Sequence, residues 1–241
     1  MSKTLVSPSP ALQKGFASVV KDDTRMSWSG TLKKSAFLAA VTFTTALVAG
    51  TLNLPFALVY LALPLLALAV YITRRPHLAK SLGIVYALGE GLVLGIISDF
   101  YAYTFGGSVV VYALGLTAAI FFALLLVYAT GLMKVSQNFK LAVSAATMGL
   151  SFYYLAAILL SFFGVSVPLV ASTSLYGIVF SFLVVCLASA NLVVDFDFIE
   201  HGVETGAPKH MEWFAAFGLL ITLIWLYLEI VRLLGKLQQR R

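Results

Sequence analysis

Four acidic side chains stand inside or at the ends of long apolar runs, where an ionised carboxylate is costly and needs a partner, water or a task. Asp195 and Asp197 close a run that begins near Ser174, Glu229 lies well inside the last run, and Glu90 lies near the middle of the third. Carboxyls so placed can bind a cation and exchange a proton, or they can hold neighbouring helices together through hydrogen bonds. Asp195 and Asp197, two residues apart, point about 200° apart on a regular helix, so only one of them can line a narrow path. Asp195 follows Asn191 by one turn and shares its face, whereas Asp197 is nearer the next joint, where Lys209 or water can meet it. Asp195 is therefore the expected working acid. The plain alternative is that both acids end a helix at the membrane surface, although carboxylates there oppose the helix dipole.

In the last run Gly218, Thr222, Trp225, Glu229 and Arg232 recur at steps of four, three, four and three, which puts them on one helix face. That face is expected to look into a bundle, with Glu229 as a second candidate acid; a local Glu229–Arg232 pair near the membrane surface is the competing reading. In the third run Gly83, Ala87, Gly91 and Gly95 form a small-residue stripe suited to close helix packing. Glu90 lies beside it, about eleven residues in and hence near mid-bilayer at the ~1.5 Å rise per residue, either as an ion-sensing acid or as a hydrogen-bonded structural carboxyl. His201, Glu204, His210 and Glu212 lack the helical spacing of zinc motifs and read as a solvated joint. No Walker loop, nucleophile elbow, dinucleotide fingerprint or HExxH occurs, so neither enzyme chemistry nor a cofactor is expected.

The elements that must position these groups follow from composition. Of 241 residues 61% are hydrophobic and 11% charged, with a mean hydropathy of +0.97, more apolar surface than one soluble core of this length can bury. The net charge of +6 sits in tails and joints, as topogenic charge does, and nucleic acid is discounted as a partner. Seven runs approach or exceed the ~18–20 residues of a spanning helix: 35–52, 54–73, 78–103, 109–133, 139–163, 174–198 and 213–234. The expected fold is an all-α membrane protein, a seven-transmembrane-helix bundle. A polar tail covers 1–32, the bundle 33–236 and a short basic tail 237–241, with no cleavable leader expected. Twelve of the 16 basic residues fall in the N-terminal tail and the second, fourth and sixth joints, which places the N-terminus in the cytosol. Arg232, Lys236, Arg240 and Arg241 then lie outside if the last run spans, or return to the cytosol if it is re-entrant. The single cysteine, Cys186, is read as a packing residue.

The segment from Ala188, ASANLVVDFDFIEHGVETGAPKHMEWFAAFGLLITLIWLYLEIVRLL, together with RMSWSGTLKKS before the first span and YALGEGLVLGIIS in the third, resembles the bacterial branch of the Bax inhibitor-1 family, the transmembrane Bax inhibitor motif or YccA-like proteins. The resemblance implies a seven-helix bundle of the bacterial inner membrane with the last helix at its centre. It further implies a pH-sensitive calcium leak, calcium being the permeant ion, with two aspartates on the last two helices as the gate. Asp195 matches the first of these positions, but Thr222 stands where the second aspartate is expected. Beside a cation leak stands another reading: a non-conducting membrane regulator that binds a second membrane complex, such as a protease or stress-response partner.

Overall fold

The computed structural model describes residues 25–52, 54–130, 132, 135–164 and 172–240. The joint residues Asn53, Lys134 and Pro168, most of the N-terminal tail with Lys3, Lys14 and Lys21, and the terminal Arg241 lie outside the described residues. Seven long helices follow in order: α1 Trp28–Thr51, α2 Ala62–Arg74 with a 3-10 lead-in Phe56–Leu61, and α3 Ala79–Phe105 after a 3-10 turn Pro76–Leu78. Then come α4 Gly107–Ala129, α5 Gln137–Phe162, α6 Leu175–Glu204 and α7 Met211–Gln239. All seven spans are long and apolar enough to cross a membrane. Large apolar side chains such as Phe122, Leu126, Phe152 and Phe182 are exposed; lipid is the solvent that accepts them.

Local chemistry sets the helix ends. Ser27 caps α1, its Oγ accepting from Gly30 N–H at 3.1 Å, so α1 begins seven residues before the apolar run and takes in Lys33 and Lys34. α1 therefore includes residues 28–32 of the expected polar tail. α6 passes Phe198 and stops only at Glu204, where Gly206 adopts φ 68°. There Ala207 N–H donates to Gly202 O at 2.9 Å and Gly206 N–H to Val203 O at 3.2 Å, the paired closure that a left-handed glycine makes possible. Asp195 and Asp197 are consequently well inside a helix and do not end it. At the other end of the chain α7 continues to Gln239, through most of the expected basic tail.

α7 is the centre of the bundle, packed against α1, α3, α4 and α6, and Phe217, Leu219, Leu226 and Ile230 on it are almost wholly buried. It is one unbroken helix of 29 residues, about 43 Å at the ~1.5 Å rise, and the re-entrant alternative is set aside because reversal needs a break in the helix. α3 lies on α1 through its small-residue stripe. A Cβ at Gly91 would stand 2.6 Å from Thr42 O, and one at Gly95 would stand 2.7 Å from Ala49 Cβ, distances that only a residue without a side chain tolerates. Ala87 is fully buried, and Gly83 has ordinary contact room against Phe217 and Leu38. Cys186 is exposed on the outer face of α6, which removes it from the packing role.

Candidate functional sites along the central helix

Three acids meet α7 at different depths, and a fourth stands apart on α3. Asp195 lies nine residues before the end of α6 and Thr222 eleven after the start of α7, so both sit about 14–17 Å from the same end of the bundle. The Thr222 hydroxyl lies beside the Asp195 carboxyl, and its Oγ1 donates to Gly218 O at 3.4 Å. Asp195 Oδ2 is buried with no hydrogen-bond partner among the described residues. An unsatisfied carboxylate oxygen away from water carries its full desolvation penalty. One turn before Thr222, a Cβ at Gly218 would meet nothing within 4 Å. Asp195 thus combines an unused acceptor with a neighbouring hydroxyl. These are features a proton or cation site requires.

Its sequence neighbours go elsewhere. Asn191 donates to Thr147 Oγ1 on α5 at 2.8 Å and to Leu187 O at 2.9 Å, which ties α6 to α5. Asp197 pairs with Lys140 at the start of α5, a partner that the proximity of the joint did not suggest. The two aspartates thus diverge as their spacing requires, one toward α7 and one toward α5.

Nearer the other end, Glu229 is 2% exposed. It accepts from Arg232 at 2.8 and 2.9 Å, from Tyr154 OH on α5 at 3.0 Å and from Trp225 Nε1 at 3.3 Å. Arg232 also donates to Tyr154 OH at 2.9 Å and stands over its ring. The i,i+3 pair exists, but it belongs to a part-buried network of four residues in which only Glu229 is fully enclosed. The polar stripe of α7 therefore faces α5 and α6. Glu90, 8% exposed, lies near Tyr86 one turn earlier on the same helix, and that ring packs edge-on against Phe217 of α7.

Sequence reading missed the acid at the start of α7. Glu212 was placed in a solvated joint, yet it is 1% exposed. Ser27 N–H and Ser27 Oγ both donate to Glu212 Oε1 at 2.9 Å, and Lys34 pairs with Oε2. Gly30 has no side chain to displace this carboxylate, and Lys34 Nζ also lies 5.4 Å from the Trp213 ring. Just above, Met26 N–H donates to Ala207 O at 2.7 Å. These contacts fasten the beginning of α1 to the α6–α7 joint. One signal was available: an acid directly before an apolar run occupies the first turn of a helix, where the dipole favours it. His201, Glu204 and His210 are exposed, as a solvated joint predicts.

A central helix that meets buried ionisable groups in a seven-helix bundle defines a multi-pass membrane protein with polar sites at protein depth. The sequence matches the model of the Bax inhibitor 1 like family over residues 8–239, and the chain belongs to that family. No curated protein matches it in sequence.

Proposed function

We propose that this protein is a pH-sensitive passive cation leak of the bacterial inner membrane, with calcium as the permeant ion and Asp195 as the acid that senses protons. The observation that carries this reading is Asp195 Oδ2, buried and without a partner beside Thr222. An ionised Asp195 attracts a cation, and protonation removes that attraction, so pH biases the bundle between two arrangements. With Thr222 in place of a second acid, one carboxyl titrates rather than a coupled pair. Glu229 is secondary in this account because it already has partners, and Glu90 because it stands on α3, apart from the contact of α6 with α7. The basic joints support a cytosolic N-terminus, and in this reading α7 carries the C-terminus across. A reporter fused after Arg241 that is active only in the cytosol would contradict this topology.

A second reading, a non-conducting regulator that binds another membrane complex, is favoured by one observation. The large cavity of the bundle has apolar walls, and Asp195, Glu90 and Glu229 do not line it. Calcium entry into liposomes containing the purified protein, followed across pH against protein-free liposomes, separates the two. The leak reading expects entry that changes with pH, and entry no faster than in empty liposomes at any pH would leave the regulator.

A further inference from the structure

Away from the acids, a cavity of about 570 Å³ lies between α1, α3, α4 and α7, within the ~300–1,000 Å³ range of small-molecule sites. Its floor is formed by α3 and α7, with Leu94, Leu220 and Ile224. Its lips are α1 and α4, where Phe43, Leu47, Leu114 and Phe122 are exposed. The opening therefore faces the hydrocarbon that surrounds the bundle. From Leu32 to Leu47 the α1 wall runs about 22 Å at the ~1.5 Å rise per residue, longer than the ~15 Å of hydrocarbon in one leaflet.

The wall contains hydroxyls, but they are already engaged. Ser35 Oγ donates to Thr31 O at 3.0 Å, Thr42 to Leu38 O at 3.0 Å and Thr117 to Ala113 O at 2.8 Å. Ser98 Oγ and Tyr227 OH share a bond of 2.6 Å. What faces the space is mostly carbon. Such a wall offers little to replace the hydration shell of an ion, whereas a hydrocarbon chain recovers the dispersion contacts that an empty apolar void forfeits.

Charge selects the occupant's other end. Leu32 and Ser35 begin the wall, and between them Lys33 is exposed. Among the described residues Lys33 makes no ion pair, while its neighbour Lys34 is committed to Glu212. Lys33 does not line the space itself but follows its first wall residue on α1, and a cation near the mouth of an apolar slot that opens to the bilayer is complementary to a lipid with an acidic head. We propose that the cavity holds one acyl chain of an anionic phospholipid, with its headgroup at Lys33.

The test is native mass spectrometry of the purified full chain in mild detergent, after exposure to equal amounts of phosphatidylglycerol and phosphatidylcholine of matched chains. Wild type is expected to retain one lipid, with phosphatidylglycerol favoured. Ala118→Trp, which fills the slot from an exposed position on α4, is expected to lose it. Ala119→Trp, exposed on the same helix outside the lining, controls for folding and keeps the lipid. Lys33→Gln is expected to retain a lipid while the preference for phosphatidylglycerol falls about fivefold, the effect of one lysine near a membrane surface. No retained lipid in wild type, or equal retention by Ala118→Trp and wild type, overturns the cavity assignment. An unchanged preference in Lys33→Gln overturns the headgroup assignment.

Discussion

Glu212 and Asp195 are both removed from water where other helices meet α7, but they differ in what surrounds them. Glu212 has both oxygens in use, one taking two hydrogen bonds from Ser27 and the other paired with Lys34. Asp195 has an oxygen that nothing in the described structure uses and a single hydroxyl for company. A carboxylate fully supplied with donors holds parts together, and changing its protonation works against several bonds at once. One left short of partners is costly to keep ionised and has few bonds to lose when it exchanges a proton or a cation. The difference separates a carboxylate held on both oxygens from one that keeps an open acceptor.

The largest effect should come from breaking the fastening. Glu212→Ala leaves the Lys34 ammonium without its carboxylate and Ser27 without its acceptor, and should cost about 3–5 kcal/mol, as removing one partner of a buried pair does. Thermal unfolding in detergent measures this, and a loss below about 1 kcal/mol would place Glu212 in the same class as Asp195. Next is Gly91→Leu, which forces a side chain against the α1 backbone at Thr42 O. It should destabilise by at least ~1–3 kcal/mol, the usual cost of overpacking, since backbone cannot step aside as a side chain can. Unchanged melting would put the α3 stripe elsewhere. Asp197→Asn should change little, because its pair with Lys140 is partly exposed and such pairs contribute ~0–1 kcal/mol. The pH profile of any leak should also be unaltered in that variant.

How much of this was legible in the sequence depends on the range of the interaction. The seven spans, the α3 stripe and the divergence of Asp195 from Asp197 follow from length, small-residue spacing and the helical angle, all of them local quantities. The end of α6 was misjudged because hydropathy fades near Phe198, whereas the helix runs on to the turn that Gly206 permits. Partners were the least legible. Ser27 and Glu212 are 185 positions apart, Tyr154 and Glu229 are 75 apart, and no pattern along the chain encodes which helices stand side by side. Thr222 is intermediate. The resemblance pointed to that position, and the packing of α6 on α7 brings its hydroxyl to Asp195.

The central claim is that Asp195 is the proton-sensing group, and Asp195→Asn tests it most directly because the amide keeps the shape but does not ionise. Calcium entry into liposomes should be recorded against pH for wild type and Asp195→Asn at matched protein density. The account predicts a pH-dependent entry in wild type and a flat profile in Asp195→Asn, with both proteins melting within about 1 kcal/mol of each other in stability, the scale of one neutral hydrogen bond. Equal pH profiles for the two proteins would contradict it and move the sensor to Glu90 or Glu229.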